Sequence, residues 1–176
     1  MTIIHTAESR LILCSRARVY EAVLAFEDYP LWWPRKFHPR FQPSQLPDTG
    51  LERIGDRLAF TPIPGIWTGW EITAVTPVEQ IRVSYFQGFH TGWGVWRFAP
   101  QQEDTLLSFE MRIVPKNPLY GLVYSLARVP RRHAAHMQEL FTCLEGYLQD
   151  RPLAEGVGAS GAPPLWSERL CLGARP

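Results

Sequence analysis

The sequence predicts an α+β fold in which an antiparallel sheet packs against a C-terminal helix. Residues 40–114 alternate between apolar and polar side chains with a period of two, and short segments containing Gly or Pro interrupt the alternation. After Pro115 the apolar spacing becomes helical. A strand and a short helix precede the sheet region. One helix cannot fill the whole width of a curved sheet, so we expect a cavity between them.

The first segment of the chain predicts a strand followed by a helix with a broken end. Residues 3–13 form the strand candidate, and Ser15 is a suitable N-cap. One apolar face of the helix, spaced i, i+3, i+4, i+7, consists of Val19, Ala22, Val23 and Phe26. Pro30 and Pro34 cannot continue that helix. The segment "DYPLWW" is therefore predicted to be a turn or a short second helix.

The middle of the chain contains five clear strand candidates. They cover residues 52–61, 66–75, 79–86, 91–99 and 104–114. A weaker candidate lies at 40–46. The connections "TPVE" and "PQQED" are short enough for hairpins, so we expect neighbouring strands to be antiparallel.

The C-terminal third predicts one long helix at about 117–149, with a kink near Pro130. Its apolar positions are Leu122, Leu126, Val129, Ala134, Met137, Phe141, Leu144 and Leu148. Residues 151–176 form a tail that is rich in Gly, Ala and Pro and that contains the apolar segment "LWSERLCL". We therefore expect a single domain over residues 1–150.

Composition excludes several classes of function. The chain of 176 residues is 45% hydrophobic and 20% charged, which is typical of one globular domain. A net charge of +1 gives no strong field that would attract nucleic acid or an anionic membrane. No apolar run is long enough for a membrane span, and the first residues do not resemble a secretory signal. The three cysteines are widely spaced and odd in number, and they predict reduced thiols in a cytoplasmic protein with neither a disulfide frame nor a zinc site. We expect no cofactor.

Four segments, in this order over residues 3–149, resemble a known superfamily. They are "SRARVYEAVLAFEDYPLWWP", "GLERIGDRLAF", "WEITAVTPVEQIRVSY" and "TGWGVWRFAPQQEDTLLSFEM". Their order and spacing resemble the helix-grip fold of the START/polyketide cyclase superfamily (SRPBCC). The resemblance implies a curved antiparallel sheet of about seven strands around the C-terminal helix, with two short helices after the first strand. It also implies a tunnel for an apolar molecule such as a lipid, sterol, quinone or polyketide.

Ligand-binding candidates follow from the alternation of strand side chains and from the aromatic break. They are Trp32, Trp33, Phe60, Trp70, Tyr85, Gly94, Trp96, Phe98, Phe109, Met111, Leu122 and Leu126. Trp32 and Trp33 would lie at the rim of the tunnel, although both could instead pack in the core. Gly94 would leave room for a ligand, unless it marks a bend or bulge of its strand.

Four polar residues are weak candidates for catalysis: Tyr85, Asp56, His90 and Arg97. The last three also have structural alternatives. Asp56 could lie in a solvated turn, His90 could lie in a solvated loop, and Arg97 could belong to a charge ladder on the outer face of the sheet. His133 and His136 have a metal-like spacing, but no third ligand accompanies them. Another cluster, Arg128, Arg131 and Arg132, could bind a phosphate, an anionic lipid head or an acidic partner, or could form a solvated helix face.

Three functions are consistent with these residues. The first is the binding or carriage of a small hydrophobic molecule. The second is an aromatic polyketide cyclase or dehydratase that acts in the same tunnel. The third is a protein-interaction or stress-response adaptor, with "LWSERLCL" as a docking segment or as a plug for the protein's own pocket. The sequence is also consistent with a homodimer.

Overall fold

The computed structural model describes residues 3–45, 53–63 and 66–150. Within them the chain forms a seven-stranded antiparallel sheet with the order β1-β7-β6-β5-β4-β3-β2. The strands are β1 Ile4–Ile12, β2 Arg40–Gln42, β3 Arg57–Ile63, β4 Ile66–Thr76, β5 Gln80–Gln87, β6 His90–Gln101 and β7 Asp104–Pro115. The helices are α1 Arg16–Leu24, α2 Tyr29–Trp32, α3 Pro118–Leu126 and α4 Val129–Asp150. The predicted α+β plan and the curved sheet with a long C-terminal helix are confirmed.

Two boundaries differ from the sequence prediction. β3 begins at Arg57, because residues 53–55 form a turn in which Arg53 and Gly55 have positive φ. β2 ends at Gln42, and the predicted position 46 lies outside the described residues, as does the tail 151–176.

The single kinked helix predicted at 117–149 is wrong, because the chain forms two separate helices. α3 ends at Leu126, and Arg128 then adopts a left-handed conformation with φ 50°. Pro130 has no N–H to donate to the carbonyl of residue 126, and its ring would clash with that carbonyl. In the first turn of α4, where the N–H has no helical partner, the same proline is tolerated. No helix in the described part of the chain has the length and apolar content needed to cross a membrane.

The core lies between the concave face of the sheet and one face of α4. Along β7 the buried side chains alternate with more exposed ones, as the period of two predicts. The buried face of α4 is made by Met137, Leu140, Phe141, Leu144, Tyr147 and Leu148. A bulge in β4 between Ile72 and Ala74 changes the phase of that strand, so that Ala74 is exposed.

The tandem tryptophans lie in this core. Trp32 and Trp33 are both 2% exposed. The ring of Tyr29 stacks on Trp33 with a centroid distance of 4.7 Å, and its hydroxyl donates to the carbonyl of Val23 at 2.7 Å. α1 ends at Leu24, before either proline; Pro30 lies in the first turn of α2, and Pro34 follows the end of α2. The contact of Trp33 with Phe60 packs this segment against the sheet.

Gly92→Ala is expected to destabilise the protein by at least about 2 kcal/mol. Gly92 has φ 147°, and an added Cβ would lie 2.1 Å from the carbonyl oxygen of Arg112 on β7. The matched control is Gly121→Ala in α3, where the nearest atom to an added Cβ is 3.9 Å away. This control should be neutral or gain up to about 1 kcal/mol. Urea unfolding of both variants tests the contrast, and equal stabilities would contradict it.

Candidate ligand cavity

A cavity of about 120 Å³ lies between the concave face of the sheet and the first half of α4. Its walls are mainly aromatic and aliphatic. The apolar lining comes from Trp33, Phe37, Phe60, Pro62, Ile66, Trp67, Trp70, Phe89, Met111, Ile113, Val129, Met137 and Leu140. Polar groups enter from β4, β5 and β6 and from both C-terminal helices, as Thr68, Tyr85, His90, Tyr124, Arg132, His133 and His136. The cavity therefore combines a large apolar surface with a few polar positions.

Five of the predicted ligand-binding residues lie together in this wall: Trp33, Phe60, Trp70, Tyr85 and Met111. Five others are buried but belong to the surrounding core, namely Trp32, Gly94, Trp96, Phe98 and Phe109. The space beside Gly94 is not free for a ligand. An added Cβ there would lie 2.5 Å from Cζ of Phe109, so the ring of Phe109 already fills the gap.

Leu122 and Leu126 do not line the cavity, contrary to the sequence prediction. They are 57% and 75% exposed on α3. The prediction placed them on the inner stripe of one continuous helix. Because the chain breaks at Ala127 and Arg128, α3 has its own orientation and directs Tyr124 inward instead.

His90 and Tyr124 form a buried hydrogen-bonded pair in the cavity wall. His90 Nδ1 and the Tyr124 hydroxyl are 2.7 Å apart, and the ring of Tyr85 lies 4.7 Å from the His90 ring, centroid to centroid. His90 is the first residue of β6 and is 8% exposed, so it is not a solvated loop residue. Its Nε2 is buried and makes no hydrogen bond within the described residues.

Burial controls the protonation of this pair. It lowers the pKa of His90 to about 4, and the nearby charge of Lys116 acts in the same direction. Burial also raises the pKa of Tyr124 to about 12 and raises that of Tyr85. At neutral pH the site therefore contains a neutral imidazole and two neutral phenols, which can donate or accept hydrogen bonds without carrying charge.

Two further histidines reach the cavity from α4. His133 Nδ1 lies 3.1 Å from the hydroxyl of Thr6, and His136 packs against the ring of Phe37 at 4.9 Å. Burial lowers the pKa of both, that of His133 to about 4. The sequence contained a signal for their position, because with Met137 they lie at i, i+3 and i+4 on the inner stripe of α4. Among the described residues no group of three metal-ligating side chains occurs.

Asp56 lies outside the cavity and has a structural role. It is 7% exposed, accepts from the backbone N–H of Ser44 at 2.8 Å and accepts from Arg53 Nε at 2.9 Å. Arg53 also pairs with Glu27, and hydrogen bonding to Arg53 lowers the pKa of Glu27. The carboxylate is therefore buried and paired in the turn before β3, not solvated.

Arg97 also lies outside the cavity, on the exposed face of the sheet. Its Nη1 donates to Glu110 at 2.7 Å, and His5 contacts the same carboxylate at 2.9 Å. Both hydrogen bonds lower the pKa of Glu110, and the one from His5 has the larger effect. This arrangement is the outer charge ladder that the alternation indicated.

Comparison with solved structures gives the class of fold. A START superfamily protein from Mycobacterium smegmatis matches with a TM-score of 0.65 at 19% identity, over 83% of this chain and 97% of that chain. The Zhui aromatase/cyclase from Streptomyces sp. R1128 matches with 0.64 at 15% identity, over 89% and 100%. The major latex-like protein 151 from Panax ginseng matches with 0.64 at 11% identity, over 84% and 99%. Neither a protein-family model nor a curated protein matches this chain. The chain therefore has the START-like helix-grip fold, as the sequence motifs indicated.

Proposed function

We propose that this protein binds one small, mostly apolar molecule in the cavity and that His90 forms a hydrogen bond with the polar group of that molecule. The cavity between the sheet and α4 is the observation that carries this proposal. Its volume of about 120 Å³ is close to that of an apolar cavity of roughly 150 Å³ that binds benzene. The space therefore suits a single ring or a short branched chain. A longer lipid would need the wall to open.

The chemistry of the wall supports both parts of the proposal. A ligand ring that moves from water into the cavity gains roughly 1.5–3 kcal/mol. Trp33, Trp70 and Met111 supply the apolar wall that it would contact. A buried nitrogen without a partner, such as His90 Nε2, is unfavourable until it is satisfied. A ligand hydroxyl or carbonyl that bonds to it would be preferred over a hydrocarbon of the same shape.

The test uses p-cresol and toluene, which have the same ring and differ in one hydroxyl. We expect the wild type to bind p-cresol about fivefold more tightly than toluene, since one hydrogen bond contributes roughly 1 kcal/mol. His90→Phe should remove this preference without abolishing the binding of toluene. Calorimetric or NMR titration measures both ligands.

A second pair of variants tests the location. Val129→Trp would fill the edge of the cavity and should weaken p-cresol binding at least about tenfold. Val114→Trp places the same side chain next to Ile113 at a half-buried position outside the cavity lining and should leave binding unchanged. Equal binding by both variants, or no binding by the folded wild type, would refute the proposal. Native mass spectrometry of the purified protein then reports the mass of any bound molecule.

A cyclase or dehydratase acting in the same cavity is the second candidate. The neutral His90, hydrogen-bonded to Tyr124, supports it, because such a pair can accept and return a proton. The volume of the cavity disfavours it, because an extended polyketide chain exceeds a single ring. If the enzyme reading holds, Tyr124→Phe should abolish turnover of a poly-β-ketone substrate while p-cresol binding persists.

A further inference from the structure

α3 exposes its apolar stripe to solvent and keeps its tyrosines inside. Leu119, Leu122, Val123 and Leu126 follow the spacing i, i+3, i+4, i+7 and are 65%, 57%, 48% and 75% exposed. On the inner side, Tyr120 stacks on Phe89 at 4.4 Å and Tyr124 bonds to His90. A surface helix of a globular protein normally directs such a stripe to the core. A contiguous exposed stripe of this kind marks an interaction site.

Positive charges flank this stripe at both ends. Lys116 precedes α3, and Arg128, Arg131 and Arg132 follow it, all four being exposed. Residues 116–138 contain one Lys, three Arg and no Asp or Glu, which gives four positive charges. Because the whole chain has a net charge of +1, the remainder carries a net charge of −3. The three arginines and Leu126 line one shallow surface groove, so the basic and apolar groups adjoin.

We propose that the α3 surface, defined as Leu119, Leu122, Val123 and Leu126 with the four flanking basic residues, docks on an anionic phospholipid bilayer. The leucines and the valine would enter the boundary between headgroups and acyl chains, while the basic side chains would meet lipid phosphates. Apolar residues on one face with Lys or Arg beside them are the composition that binds such interfaces. The charge complementarity selects an anionic lipid surface over a neutral one.

This proposal goes beyond ligand binding in the cavity but links to it through geometry. Tyr124 on the inner face of α3 and Arg132 at the start of α4 both belong to the cavity wall. A docked α3 surface would therefore hold one wall of the cavity at the bilayer. An apolar molecule could then exchange between the cavity and the membrane through a short path.

The test is flotation of the full chain with vesicles of phosphatidylcholine alone and of phosphatidylcholine mixed with phosphatidylglycerol. We expect the wild type to float only with the mixed vesicles. The double variant Leu122→Ser/Leu126→Ser should lose at least about tenfold in partitioning, because two exposed leucines leave the interface. Arg128→Asn/Arg131→Gln should lose roughly fivefold per removed charge and should become less sensitive to salt.

A matched control has the same chemical change elsewhere on the surface. Leu11 and Leu106 are cross-strand neighbours on β1 and β7 and are 40% and 36% exposed. Leu11→Ser/Leu106→Ser should partition like the wild type. Three results would each overturn the proposal. The control could lose as much vesicle binding as the α3 variants, the α3 variants could bind vesicles like the wild type, or the wild type could bind neutral and anionic vesicles equally.

Sedimentation velocity separates docking from self-association. If the wild type is a dimer that does not float, and Leu122→Ser/Leu126→Ser is a monomer, the surface belongs to a second copy of the chain and the membrane proposal is overturned. Titration with p-cresol in the absence of lipid measures the cavity independently. The failure of one proposal therefore leaves the other measurable.

Discussion

Lowering the pH from neutral to about 4 is expected to cost several kcal/mol of the free energy of unfolding, because His90 and His133 are buried as neutral imidazoles. Burial lowers both pKa values from 6.5 to about 4. Between these limits the unfolded chain binds more protons than the folded chain, so stability falls as the pH falls from about 6.5 to about 4. This difference between the pKa values of the unfolded and folded states corresponds to roughly 3 kcal/mol of stability for each histidine at pH values near 4.

The groups around each histidine make the effect specific. His90 faces Tyr85 and Tyr124 with Lys116 nearby, and none of these three neighbours is a carboxylate that would compensate a positive charge on its ring. His133 faces the hydroxyl of Thr6, and its neighbour His136 opposes protonation as well. Protonation would place a cation in an apolar wall in both places.

Urea unfolding over this pH range measures the effect. His90→Asn and His133→Asn keep an amide that can bond to Tyr124 or Thr6, and each should flatten the dependence of stability on pH. His38→Asn is the control, since His38 is exposed and has φ 47°, a conformation that Asn accepts. The prediction is wrong if the slope of the wild type persists in both buried-site variants, or if the control flattens it as well.

The sheet could be predicted because its signals are local. Alternation along β7, together with the short turns, places Leu107, Phe109 and Met111 on one face whatever the rest of the chain does. The separation of α3 from α4 is different. A helical spacing that continues past Pro130 fits a kinked helix and two helices equally well, and the left-handed residue Arg128 that decides between them is not a glycine.

The candidate site could be predicted only in part, because a cavity is the space that packing leaves over. Alternation identified Phe60, Trp70 and Tyr85 as inward-facing, and they do line it. It could not show that the ring of Phe109 fills the space beside Gly94. The burial of His90 depends on Tyr124, which is far away in sequence and is placed by the independent orientation of α3. Such long-range pairs leave no periodic signal in the sequence.

Trp33→Ala is expected to destabilise the protein by about 3–5 kcal/mol and to enlarge the cavity. The ring of Trp33 is 2% exposed, stacks on Tyr29 and contacts Phe60 and Trp70 at 5.5 Å, and it also forms part of the cavity wall. Its Nε1 makes no hydrogen bond within the described residues, so truncation removes packing without leaving a polar partner unpaired. The hole should therefore join the existing cavity.

Rescue by indole tests this connection. Indole that binds the enlarged cavity stabilises the folded state by mass action, so added indole should raise the urea midpoint of Trp33→Ala well above its effect on the wild type. Trp32→Ala is the matched control, because Trp32 is equally buried but does not line the cavity. We expect a similar loss of stability in this control with a smaller response to indole. If the alanine variant of Trp33 does not fold, Trp33→Phe leaves a smaller hole for which p-cresol is the probe. If indole raised the urea midpoints of Trp32→Ala and Trp33→Ala equally, the prediction that the hole left by Trp33 joins the cavity would be wrong.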